Sequence, residues 1–241
     1  MKVRVRFTKT GEMKYIGHLD IMRCFQKAIR RAGFDIAYSQ GFNPHQILSF
    51  ASPLSLGMES EGEYFDAEFN SCLSSEKMIK KFNKQLNDDI RVISFRVLPE
   101  NAKTNAMASL RACKYCVSLS DEVFKALCEK GKPENLWWDF LSQPEITTER
   151  KTKSKLLKAD IKPLIIGGKL IDNAIELMLC AGSEKSLKPI SVINAFFESL
   201  SFPYSGEEAF LKGLISITRL DQFTVDKDSY LSLGEVGEIY E

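Results

Sequence analysis

Apolar and polar positions alternate at the start of the chain, where Val3, Val5 and Phe7 fall on one face of residues 2–8. This period of two predicts a strand. Apolar residues then recur every three or four positions, which predicts a helix from His18 to Ala32, ended by Gly33. The residues on the inner side of this helix are Met22, Phe25, Ile29 and Ala32.

The rest of the first hundred residues continues this mixture of periods. Residues 34–39 and 46–50 resemble short extended pieces around a turn, and Glu63 to Phe69 resembles a clear strand. Ser74 or Ser75 can cap a second helix, and Ile90 to Val97 predicts a closing strand. The order strand, helix, strand, strand, helix, strand is typical of the ferredoxin-like split β-α-β unit.

A second unit of similar order is expected after a linker at residues 98–107. We therefore predict an α+β protein of two tandem ferredoxin-like (split β-α-β) units, with antiparallel sheets and helices on one face. The predicted domains are 1–104 and an embellished 105–241, which ends in an acidic tail from Asp221 that we expect to be partly loose. The predicted elements of the second domain are strands at 110–119, 174–179 and 214–220 and helices at 120–129, 133–141 and 191–200.

Composition is that of an ordinary globular protein, with 44% hydrophobic and 27% charged residues in 241. No apolar run has the length of about 18 residues that a membrane helix needs, and the N-terminal alternation differs from a signal peptide, so we expect a cytoplasmic protein. The net charge of +1 conceals an asymmetry. Residues 1–50 carry nine Lys or Arg against three Asp or Glu, whereas residues 201–241 carry three against eight. A polyanion partner on one side of the molecule and a merely solvated surface explain this pattern equally well.

The six cysteines indicate neither a disulfide framework nor a metal site. Cys113 and Cys116 form a C-x-x-C pair, but no second pair or histidine follows at zinc-site spacing. On a strand these two side chains point to opposite faces. We expect two packed thiols, no metal and no cofactor, although the sequence leaves metal binding by this pair open.

Two basic zones are candidates for contacts with nucleic-acid phosphates. One is the outward side of the first helix and the other is a basic run between residues 149 and 162. The candidate nucleic-acid-binding residues are Arg23, Lys27, Arg30, Arg31, Arg150, Lys151 and Lys153.

The two histidines occupy positions that suit ligand binding. His18 and Asp20 fall in the first turn of the first helix, where they either meet an anionic ligand or simply cap the helix. His45 follows an Asn-Pro turn whose polar residues would line a recognition loop. His18 and His45 are the candidate catalytic residues, and the predicted ligand loop comprises His18, Asp20, Gln40, Asn43 and His45.

Several motifs together resemble the radical-SAM-linked protein family, a bacterial domain of unknown function that occurs fused to a radical SAM protein or encoded beside one. These are residues 14–20 (KYIGHLD), 41–45 (GFNPH), 52–57 (SPLSLG), 149–153 (ERKTK) and 160–163 (DIKP). The chain lacks the C-x-x-x-C-x-x-C cluster motif, so the resemblance implies the stand-alone form and a radical SAM partner. By element order the chain is also distantly similar to CRISPR-type RNA-processing proteins, some of which cleave RNA with a histidine near the first helix.

The sequence therefore predicts a non-catalytic RNA-binding accessory module that works with a radical SAM partner in tRNA or rRNA modification or processing. One alternative is a metal-independent ribonuclease with His18 or His45 as acid–base. Another is a protein scaffold for the radical SAM partner without RNA contact. The bound RNA and the oligomeric state are not predicted.

Overall fold

The computed structural model describes residues 1–100, 105–151 and 156–241. The chain divides into two compact units, one formed by residues 1–111 and 219–241 and the other by residues 112–218. This division differs from the predicted domains 1–104 and 105–241: residues 105–111 belong to the first unit, and so do residues 219–241. A strand that returns from the second unit carries these residues back, which element order along the chain does not reveal.

The first unit is built around an antiparallel sheet with the strand order β4-β1-β3-β2. Strand β3 also pairs with β10, and the end of β10 pairs with β11. The elements are β1 (Lys2–Lys9), α1 (His18–Arg31), β2 (Leu48–Phe50), β3 (Glu59–Glu68), α2 (Ser75–Asn83), β4 (Ile90–Val97), α3 (Ala106–Ser109), β10 (Ile215–Asp226) and β11 (Ser229–Ser232). The predicted strands and helices of residues 1–97 are therefore confirmed, with shifted ends.

Helices α1 and α2 cover the same face of this sheet. The inward side chains of β1, Val3, Val5 and Phe7, share one core with Phe25 of α1 and Phe82 of α2. The aromatic rings of this core meet edge-on or tilted, the geometry that aromatic pairs prefer. Of the predicted inner residues of α1, Met22 is only half-buried, and Ile21 takes a buried position instead.

The acidic tail is ordered into structure, contrary to the expectation of a partly loose end. Strand β10 extends to Asp226 and β11 pairs with it from Ser229 to Ser232. Further on, the backbone groups of Glu238 exchange two hydrogen bonds with those of Val97, at 2.8 and 2.9 Å. The acidic composition of the tail does not reveal this pairing, because its partners are β10 and the end of β4.

The second unit contains an antiparallel arrangement of β5, β9 and β8. The backbone of Ser120, at the end of β5, also donates to the carbonyl of Leu214, just before β10. Trp137, Phe140 and Phe196 pack against one another in its core. The elements are β5 (Ala112–Leu119), α4 (Asp121–Lys130), α5 (Pro133–Ser142), β6 (Thr147–Lys151), β7 (Leu156–Asp160), β8 (Ile165–Ile171), β9 (Ala174–Cys180), α6 (Pro189–Ser199) and α7 (Gly206–Leu211).

The chain thus has an α+β fold with mostly antiparallel strands and seven α-helices among the described residues. None of these helices is long and apolar enough to cross a membrane.

Candidate functional site

His18 lies at the first position of α1, where the chain leaves Gly17 in an extended conformation. The imidazole is half-buried and meets the ring of Phe50 edge-on, with 5.4 Å between ring centroids. It lines a small cavity together with Lys9 and Glu63. Burial lowers the pKa of His18, and the nearby ammonium group of Lys9 lowers it further. The predicted candidate His18 therefore has ionisable neighbours that the sequence analysis did not identify.

Lys9 is buried at the end of β1, on the same face as the apolar residues before it. Its Nζ donates to the carbonyl of Ile16 at 2.9 Å and to that of Lys14 at 3.3 Å. Burial lowers the pKa of Lys9, while the carboxylate of Glu63 opposes that effect. Lys9 thus fixes the backbone of residues 14–16, the segment that precedes His18.

Glu63 and Arg219 form a buried ion pair beside Lys9. One guanidinium nitrogen of Arg219, Nη1, lies 3.0 and 3.1 Å from the two carboxylate oxygens of Glu63. Arg219 also donates to the carbonyl of Pro53 at 3.0 Å and to that of Ser52 at 3.4 Å. Burial is the largest influence on the pKa of Glu63 and raises it, against the opposing effect of Arg219. The pair therefore holds a second motif segment, residues 52–57.

The buried charged residues bind the backbone of two motif segments, residues 14–20 and 52–57. The amide of Gly57 donates to the carbonyl of Lys14 at 2.9 Å, so the two segments lie side by side. The cavity beneath them has a volume of about 10 Å³, which is room for one water molecule at most. In this arrangement the charged groups position the loops.

The sequence analysis missed Lys9, Glu63 and Arg219. A detectable signal exists for each, because each occupies the inward position of an alternating strand. In β10, for example, Ile215, Ile217 and Arg219 follow one another on the buried side. A charged residue at an inward strand position must be paired when it is buried. A charge in an otherwise apolar inward series is therefore a signal that can be read from the sequence.

His45 lies in a different cavity from His18. Its Nδ1 is 2.8 Å from the hydroxyl of Ser39, and the amide of His45 donates to the same hydroxyl at 3.1 Å. Both side chains line an open cleft of about 520 Å³ in the first unit. The predicted ligand loop is therefore divided: Gln40, Asn43 and His45 belong to an exposed loop, whereas His18 and Asp20 belong to the start of α1.

The predicted phosphate-contacting residues of α1 are all exposed. Arg23 forms an ion pair with Asp20 at 3.0 Å, and Arg31 donates to the backbone carbonyl of Gln85, just beyond α2, at 2.6 Å. Helix α2 adds lysines that the sequence analysis did not select. Over residues 18–31 and 75–84, eight basic residues face two acidic ones, Asp20 and Glu76. The basic residues are Arg23, Lys27, Arg30, Arg31, Lys77, Lys80, Lys81 and Lys84.

Three predicted phosphate-contacting residues and the cysteine pair remain. Arg150, Lys151 and Lys153 lie outside the residues whose side chains the structure describes. Cys113 is buried and Cys116 is half-buried on β5. Within the described part of the chain, no three His, Cys, Asp or Glu side chains are grouped as a metal ion requires.

Residues 2–189 match a family described as uncharacterized protein conserved in bacteria, DUF2344, and the chain therefore belongs to it. The match includes Lys9, His18 and Glu63 but not Arg219. Comparison of the chain with curated proteins finds no match.

Proposed function

We propose that this member of the DUF2344 family is a non-catalytic RNA-binding module that works beside a radical SAM protein in tRNA or rRNA modification or processing. The observation that carries the RNA-binding part is the basic surface of α1 and α2 in the first unit. The proposal of a radical SAM partner rests on the resemblance of the motifs alone, since the family match names no partner.

The basic surface has the chemistry that a polyanion requires. Its eight Lys and Arg residues are opposed by two acids, a balance of +6 on two helices that cover one face of one sheet. Arg23 and Lys80 form ion pairs with Asp20 and Glu76. The other six, which include Lys27, Arg30 and Lys77, form no ion pair with these two acids and are exposed or half-buried. Lys and Arg at this density bind phosphate groups by releasing counterions, and most of the resulting affinity is independent of sequence.

The strand order supports the proposal at the level of the fold. The supporting observations are the strand order β4-β1-β3-β2 in the first unit and the antiparallel order β5-β9-β8 in the second. We propose that both units are ferredoxin-like. This fold hosts many functions, so it makes RNA binding plausible without identifying the RNA.

Salt-dependent binding tests the proposal directly. With about six phosphate contacts, affinity for single-stranded RNA should fall about 300-fold between about 50 and 200 mM salt, since each contact contributes about 0.7 to the logarithmic slope. The charge reversal Lys27→Glu, Arg30→Glu and Lys77→Glu should lower that slope by about 2. Fluorescence anisotropy with total tRNA and with a labelled single-stranded RNA measures both quantities.

A matched control is the triple variant Lys125→Glu, Lys185→Glu and Lys212→Glu in the second unit. These lysines are exposed and the change in net charge is the same. The control should bind as the wild type does. An equal loss in both variants, or affinity that does not change with salt, would contradict the proposed surface.

The two alternatives give different results in the same experiment. A ribonuclease would shorten the RNA during incubation with chelator, which gel electrophoresis detects. A scaffold would bind a radical SAM protein encoded beside it and show no affinity for RNA. Co-purification of such a protein with the tagged chain tests the partner separately.

A further inference from the structure

The cleft of about 520 Å³ in the first unit has the shape and lining of a small-ligand site. Ile47 and Leu98 contribute apolar groups to its walls, and Ser39, His45 and Ser49 contribute polar groups. A flat aromatic ligand needs apolar walls for its faces and a few polar groups for its edge. The dimensions and the mixed lining therefore suit a nucleobase.

Two carboxylates of the cleft, Asp66 and Glu68, differ in whether they are free to accept hydrogen bonds from a ligand. Asp66 is already engaged, because it accepts two hydrogen bonds from Arg4, at 2.8 and 2.9 Å, and one from the amide of Ala106 at 2.7 Å. Glu68 is a half-exposed carboxylate in the lining, 3.9 Å from the ammonium group of Lys2. The Glu68 carboxylate accepts hydrogen bonds from amino groups, and the ammonium group of Lys2, which also lines the cleft, balances its charge.

The loop of residues 39–45 borders this cleft, and the residue that follows it contacts α1. The loop is closed by the Ser39 amide, which donates to the carbonyl of His45 at 2.8 Å, and Ser39 and His45 both line the cleft. Next to the loop, the side-chain amide of Gln46 donates to the backbone carbonyl of Gln26 in the middle of α1, at 3.3 Å. At the loop tip the ring of Phe42 is fully exposed. An exposed aromatic ring is a platform on which an unpaired base can stack.

We infer that the cleft and the ring of Phe42 bind unpaired bases of single-stranded RNA, while α1 and α2 bind its phosphates. The inference rests on the proposed function and narrows its substrate class from RNA in general to an unpaired segment. Because Glu68 accepts hydrogen bonds, adenine and cytosine, which carry exocyclic amino groups, should bind better than uracil.

The test uses the full chain and labelled homopolymers of adenosine, cytidine and uridine of equal length, with an RNA duplex of the same sequence length for comparison. The adenosine and cytidine strands should bind about tenfold more tightly than the uridine strand, the worth of about one well-placed hydrogen bond to a charged group. Phe42→Ala should weaken binding of every single strand about tenfold, as loss of one stacked base does, and leave duplex binding unchanged.

Glu68→Gln should remove the difference in affinity between the uridine strand and the other two strands. It should not change the salt dependence, because no phosphate contact is lost. Glu184→Gln is the matched control, since Glu184 is exposed in the second unit and should change nothing. Equal affinity for all single strands and the duplex, with no effect of Phe42→Ala, would overturn the inference. A steep salt dependence in the same experiment would still support the proposed function. Absence of binding to every RNA would overturn both.

Discussion

Replacement of Glu63 by Gln tests the idea that buried charges hold the motif loops in place. The carboxylate is the negative partner of Arg219, with oxygen–nitrogen distances of 3.0 and 3.1 Å, and it opposes the positive charge of Lys9. Glutamine keeps the shape of the side chain and one acceptor oxygen. The substitution therefore removes the charge and leaves two buried cations without their carboxylate.

The expected cost follows from burial. The Arg219 and Glu63 side chains are 4% and 7% exposed, so neither charge gains much from water. Removing one partner of a buried pair costs about 3–5 kcal/mol. In a domain of this size that loss lowers the melting temperature by about 6–20 °C. By contrast, Lys14 and Glu59 form a pair at 3.6 Å with side chains 30% and 35% exposed. A pair of that kind contributes about 0–1 kcal/mol.

The assay is urea unfolding at neutral pH, followed by circular dichroism, for the wild type, Glu63→Gln and Glu59→Gln. The two variants make the same chemical change, and only the burial of the ion pair differs. We expect Glu63→Gln to lose several times more free energy of unfolding than Glu59→Gln. Equal losses below about 1 kcal/mol would refute the reasoning, because they would show that the buried cations do not need the carboxylate.

Two further predictions concern His18 and Gly62. The imidazole of His18 should titrate below 6.5 by NMR, since burial and Lys9 lower its pKa. The unfolded chain then takes up this proton first, so folding stability should fall as pH drops below 6.5, and His18→Gln should remove that part of the pH dependence. Gly62→Ala should cost about 1–3 kcal/mol in urea unfolding, because its Cβ would lie 2.7 Å from the Leu220 carbonyl oxygen. Gly167→Ala, with no heavy atom within 4 Å of its Cβ, should cost less, and equal costs would contradict the packing argument.

The parts of the fold that could be predicted are those determined by local sequence. The strand from Ile90 to Val97 has the predicted bounds, because its period of two is sustained and loops flank it. Ser120 begins α4 as predicted, with its hydroxyl accepting from the Val123 amide. Both features depend on interactions within a few residues. The return of residues 219–241 to the first unit depends on pairing across the chain, and no local period reports it.

The candidate site was predictable only in part for the same reason. The motifs indicated His18 and the segments beside it, and the helical period indicated the exposed basic side of α1. The ion pair joins Glu63 to Arg219 across 156 positions of sequence, so its partners cannot be matched from the sequence. What could have been noticed is that each charge continues a buried apolar series, a local conflict that commonly marks a functional or positioning role.

The buried charges position two motif segments, residues 14–20 and 52–57. A fold that needed stability alone would fill these positions with apolar side chains, which are often as stable as a buried ion pair. Here Lys9 and Arg219 donate to loop carbonyls, so the charges determine where the two motif segments lie. Acid–base catalysis by His18 would instead need a substrate within hydrogen-bond reach. The small cavity beside His18 has room for one water molecule at most, so a substrate would have to reach the exposed side of the imidazole.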